Sequence, residues 1–85
     1  MKFCVVAGVM RKVLPANEDL NNVVTNGSYY VNGGVNAPGS FFYFDVLKVS
    51  SQDVIQVGYS IIVDKLWKRT FVNGIWSAWK SVTFS

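Results

Sequence analysis

Asn73 and Gly74 stand between two runs, LWKRTF and IWSAWKSVTF, in which apolar or aromatic residues recur among polar ones. Both central residues of a type I′ turn need positive φ, which Asn and Gly adopt most readily. The dipeptide therefore predicts a β-hairpin over Leu66–Val82 with a two-residue loop. That loop sets Phe71 beside Trp76, Arg69 beside Ala78 and Trp67 beside Lys80, with long cationic stems laid over rings. In this register Trp79 points to the face opposite Trp76 unless a bulge intervenes. The two tryptophans then have different tasks, Trp76 plugging the core and Trp79 left free for an interface or a ligand.

The rest of the chain also reads as short strands broken by turns. ANEDLNNVVTNGS after Pro15 is a polar linker and loop in which Asn17 or Asp19 can cap a single helical turn, and Asn26-Gly27 supplies a tight turn. SYYVN, Ser28 to Asn32, is a short strand, ended by the glycines and Pro38 of GGVNAPGS. FFYFDVLKV is apolar on both sides, with Phe41, Tyr43, Leu47 and Val49 on one and Phe42, Phe44 and Val46 on the other, which predicts burial on both faces. SSQD turns the chain into VIQVGYS, a half-buried strand with Ile55, Val57 and Tyr59 on one face and Gln56 and Gly58 on the other. No helical period of useful length occurs. The expected fold is all-β, a small antiparallel sheet or sandwich of about five to six short strands.

Eighty-five residues suffice for one domain, and such a chain buries only roughly 60–65% of its unfolded surface. Hydrophobic residues make up 51% of it and charged residues 15%, against the usual ~25% charged. So much apolar material in so small a chain implies burial between copies of it.

Composition also excludes several chemistries. There is one cysteine, Cys4, and no histidine, so neither a disulfide framework nor a histidine-based catalytic triad can be built. Cys4 reads as a small buried hydrophobe. No cysteine or carboxylate spacing suits a metal, and no cofactor is expected. The net charge of +3 is spread along the chain, and KLWKRTF is the one place where cations and aromatics interleave, so nucleic acid is not an expected partner. The opening MKFCVVAGVMRKVLP has an apolar run that is short, ends in Arg11 and Lys12 and lacks a small-residue cleavage site. It reads as an N-terminal strand or arm, not as a signal peptide or a membrane span.

In order, DLNNVVTNGSYYV, VNAPGS, the long apolar strand, VIQVGYS and KRTFVNGIWSAWK resemble the pyocin knob domain of phage and R-type pyocin tail fibres. The resemblance covers roughly Asn17 to Val82. It rests on Asp19-Leu20-Asn21, on Gly27 two residues before Tyr29, on Asn36-Ala37-Pro38, on Gln56, on Arg69-Thr70 and on Asn73-Gly74-x-Trp76-Ser77-x-Trp79-Lys80. It implies a knob-like β domain over residues 17–85; residues 1–16 lie outside the resemblance and are expected to be an N-terminal arm or strand, as the end of a fibre shaft or an interface segment. It further implies a homo-trimer packed with other tail-fibre segments in a virion, acting at the bacterial cell surface. The chain departs from the family at IIVDK, Ile61 to Lys65, where a polar turn is usual. That insertion extends a hairpin or forms a contact patch.

Among the acids Glu18, Asp19, Asp45, Asp53 and Asp64, only Asp45 sits inside an apolar strand, where burial raises a carboxyl pKa; a hydrogen-bonded structural acid explains it better than catalysis. An enzyme is not expected. Flat rings pack on the apolar faces of sugars, so Trp67, Trp79, Tyr30 and Tyr43 are the candidate ligand-binding residues for a bacterial surface polysaccharide, with core or interface packing as the plainer use of the same rings. The expected function is a non-enzymatic tail-fibre module for host attachment or fibre architecture. A standalone carbohydrate-binding domain and a small virion structural protein are the alternatives.

Overall fold

The computed structural model describes residues 11–60 and 62–83. The expected strand at Cys4 and Val5 to Met10 lies outside them, as does Ile61. Among the described residues seven strands form one sheet: β1 (Lys12–Val13), β2 (Gly27–Val31), β3 (Phe42–Ser50), β4 (Asp53–Ser60), β5 (Lys65–Val72), β6 (Ile75–Trp76) and β7 (Lys80–Thr83). Their order is β1-β2-β3-β4-β5, with β6 and β7 pairing successive parts of β5. The fold is all-β as expected, yet the sheet is mixed, because Lys12 and Val13 run parallel to Tyr29 and Tyr30. No helix among the described residues is long and apolar enough to cross a membrane.

The hairpin turns where the sequence places it. Asn73 and Gly74 have φ of 52° and 82°, Val72 pairs with Ile75, and Phe71 with Trp76. Beyond Trp76 the pairing departs from expectation. Ser77 takes the place of a ladder residue twice over, donating its N–H to the Thr70 carbonyl at 2.8 Å and accepting the Thr70 N–H on its hydroxyl at 3.0 Å. Ala78 and Trp79 then bulge, and pairing resumes one residue out of register, with Trp67 opposite Ser81 and Lys68 opposite Lys80. Trp67 is thus not beside Lys80, and Arg69 has no β7 partner at Ala78.

The sheet has a covered face and an open one. Tyr29 and Val31 of β2, Phe42, Phe44 and Val46 of β3 and Val54 of β4 are buried on the covered face with Leu20 and Val23 from the loop that crosses it. That loop is pinned at several points. Asp19 caps a single 3-10 turn, Leu20–Asn22, by accepting the Asn21 N–H, and two backbone bonds tie this loop to the next, the Leu20 N–H donating to the Val35 carbonyl and the Val35 N–H to the Glu18 carbonyl. Within the single chain β3 is buried on one face only: Leu47, on the other face, is 52% exposed, so neither a sandwich nor a wrapped barrel forms among the described residues. One sheet with one covering loop has material for a single core layer, so only one side of each strand is shielded.

VIQVGYS sits the other way round from its expected reading. Val54, Gln56, Gly58 and Ser60 are buried, while Ile55 and Val57 are half-buried and Tyr59 is exposed. Gly58 shows one physical reason. A Cβ there would meet the Tyr43 carbonyl oxygen and lie 2.6 Å from the Phe44 Cβ, so only glycine permits this approach of β3 and β4.

Candidate functional site

Rows of side chains follow directly from the register, since residues paired across strands share a face. On the open face Tyr30 of β2 pairs with Tyr43 of β3, and Tyr43 with Tyr59 of β4. Their rings form a continuous row, with centroids 4.7 Å apart for Tyr30 and Tyr43 and 5.8 Å for Tyr43 and Tyr59. The row continues through Leu66 of β5 to Val82 of β7. Leu66 is 37% exposed, Tyr59 46% and Val82 61%, and Val72 and Ile75 add a second exposed apolar pair at one end.

Arg11 closes one edge of this row. Its guanidinium lies 5.6 Å from the centre of the Tyr43 ring and donates to the Phe44 carbonyl and to Asp45 Oδ1, both at 3.0 Å. Asp45 is therefore not the buried strand acid that its neighbours suggest. Its side chain is 49% exposed and ion-paired, on the open face of β3. The acids do not gather either: Asp19 accepts from Asn36 and Asn21, and Asp53 accepts from Ser50. Among the described residues no group of three or more metal-ligating side chains occurs.

The four ring residues picked out in the sequence divide between the faces. Tyr30 and Tyr43 are half-buried neighbours on the open face, whereas Trp67 and Trp79 pack against the core on the covered one. The bulge at Ala78 and Trp79 turns Trp79 inward. Its ring meets Phe42 edge-on at 5.4 Å, and its Nε1 donates to the Asn36 carbonyl at 2.7 Å, stitching the hairpin to the Asn36-Ala37-Pro38 loop. Trp76, expected to plug the core, is only half-buried. Trp76 and Trp79 share one task, holding the Arg69 guanidinium 3.9 and 4.8 Å from their ring centres.

Arg69 is 4% exposed, and desolvation pushes its pKa down to about 10, partly offset by the negative charge of Asp19, so it stays charged at neutral pH. Its Nε donates to Gln56 Oε1 at 2.8 Å, and Gln56 Nε2 donates onward to the Leu20 and Val23 carbonyls. This chain of bonds satisfies the covering loop from within the sheet. Sequence reasoning missed it, although a glutamine set inside the otherwise apolar run VIQVGYS was the available signal. It also missed Tyr59 as the third ring of the row, having placed that residue with Ile55 and Val57 on the apolar face of a half-buried strand.

Comparison with protein-family models, with curated proteins and with solved structures gave no match.

Proposed function

We propose that this chain is a non-enzymatic module of a phage tail fibre, working in the virion at the bacterial surface, in host attachment or in fibre architecture. The observation that carries the reading is the Tyr30–Tyr43–Tyr59 row. Three aromatic rings lie side by side on a sheet face that the covering loop leaves open, continued by exposed Leu66 and Val82. Exposed apolar patches of this kind mark contact surfaces. The order of the motifs that resemble the pyocin knob supplies the fibre context, and the exposed Ile62 and Val63 of the insertion extend the apolar surface near the start of β5.

A standalone carbohydrate-binding domain is favoured by the same row, since a run of phenol rings suits the faces and edges of sugars. Binding of the labelled full-length chain to bacterial cells and to their purified surface polysaccharides tests both readings. The fibre reading expects cell attachment, or co-assembly with fibre segments, that weakens in Tyr43→Ala. Turnover of the polysaccharide by the chain would overturn it.

A further inference from the structure

Two lysines stand together on the open face, beside the ring row. Lys68 of β5 pairs directly with Lys80 of β7, and the next pair on the same face of these strands is Leu66 with Val82, the end of the row. The β4–β5 register pairs Val57 with Lys68 and Tyr59 with Leu66, which sets Tyr59 diagonal to Lys68. Diagonal partners lie about 7–8 Å apart, within reach of a phenol and a lysine stem. Like charges directly opposite each other destabilise a sheet, so a negative charge between the two ammonium groups is stabilising.

None of the described acids supplies that charge. Asp45 and Asp53 are the carboxylates of the open face. Asp45 is two strand spacings from Lys68, about 9.6 Å, and it is held by Arg11, which lies beside the Tyr43 ring. That pair is neutral within itself. Asp53 lies four residues along β4 from Val57, about 13 Å, and accepts from Ser50. Both distances exceed the ~8 Å over which exposed charges act at physiological salt. Asp64 precedes β5, four residues before Lys68, and Glu18 and Asp19 belong to the segment that covers the opposite face.

We propose that the open face binds an acidic polysaccharide, its sugar rings lying along Tyr30, Tyr43 and Tyr59 and its carboxylates held by Lys68 and Lys80. This rests on the reading of that face as the attachment surface, and it names the chemical class attached. The phenol rings, 4.7 and 5.8 Å apart, cross the strands at close to the repeat of sugar rings in an extended chain. A uronic acid carries its carboxylate at the ring edge, and the lysines lie one row along the strands, about 7 Å from the ring row. Two cations suit a sparse acid, whereas a phosphate chain calls for a longer basic stripe. In the three-fold assembly that the fibre reading implies, three outward faces of this kind combine weak single sites into firm attachment.

The test is binding of the full-length chain to polygalacturonate and alginate, and to their carboxyl-reduced, neutral forms. At least one acid form is expected to bind about tenfold or more tighter than its neutral form at about 20 mM salt, with the gap closing towards about 500 mM. Lys68→Gln/Lys80→Gln removes the gap while keeping the fold, read by circular dichroism, and Tyr59→Ala weakens binding to both forms. Polyglutamate, which has carboxylates but no sugar rings, is expected to bind at least about tenfold more weakly than the better acid form. No binding of either acid form, equal binding of the neutral forms, a gap that survives the double lysine variant, equal binding of polyglutamate, or tighter binding of oligothymidylate would each overturn the proposal. Cell attachment that Tyr43→Ala weakens and the double lysine variant leaves intact would overturn it while the fibre reading stands.

Discussion

Arg69 Nε and Gln56 Oε1 lie 2.8 Å apart beneath the covering loop, and Gln56 passes the interaction on to the Leu20 and Val23 carbonyls at 2.8 and 2.9 Å. Gln56 is fully buried, so the three bonds are made where water cannot replace them. Gln56→Leu keeps the volume but leaves two carbonyls and a guanidinium N–H without partners. The expected loss is about 3–5 kcal/mol in urea unfolding, from the cost of orphaned buried groups. A loss under about 1 kcal/mol would mean that the loop is held by its apolar contacts alone.

Trp79 tests the bulge. Because it packs on Phe42 and Arg69 and bonds the Asn36 carbonyl, Trp79→Ala is expected to cost about 2–4 kcal/mol, below the full range for buried aromatics because the ring is half-buried. Unfolding midpoints read this directly. A stable variant with altered ligand binding would instead restore Trp79 to the surface role that plain alternation suggests.

Charge placement separates the two faces. Phe44→Asp puts a carboxylate where the wild-type ring is 1% exposed and is expected to abolish folding, as judged by circular dichroism. Leu66→Lys, on the open face, is expected to change stability by no more than about 0.5 kcal/mol. Equal damage from both would mean that the open face is covered within a single chain.

Asp19 gives a pH dependence with a definite sign. The Asn36 amide, and then the Asn21 N–H, hold its carboxyl below the ordinary 3.8. A depressed carboxyl pKa means that the unfolded chain binds the proton first on acidification. The stabilisation is therefore present above about pH 4 and lost as pH falls through the lowered value. Melting temperatures at pH 6 and pH 2.5 should fall further for the wild type than for Asp19→Asn, whose cap does not titrate. Parallel falls would assign the acid loss to other carboxylates.

What the sequence determined by itself is whatever a few neighbouring residues decide. Asn73-Gly74 fixes the hairpin because the φ requirement of the turn is local, and Asp19 caps its turn because the carboxylate reaches the Asn21 N–H two residues on. Alternation in β3 and β4 likewise shows which residues share a face. It does not show which face meets the rest of the chain. VIQVGYS presents Gln56 and Gly58 inward because the covering loop brings the Leu20 and Val23 carbonyls to one side, and because Phe44 needs the space that Gly58 leaves. Only the tertiary structure decided that, along with the parallel pairing of β1 and the bulge that returns Trp79 to the core. Each depends on partners far off in the chain, Asn36 lying 43 residues from Trp79, and on buried polar groups that must be satisfied wherever the loop happens to deliver them.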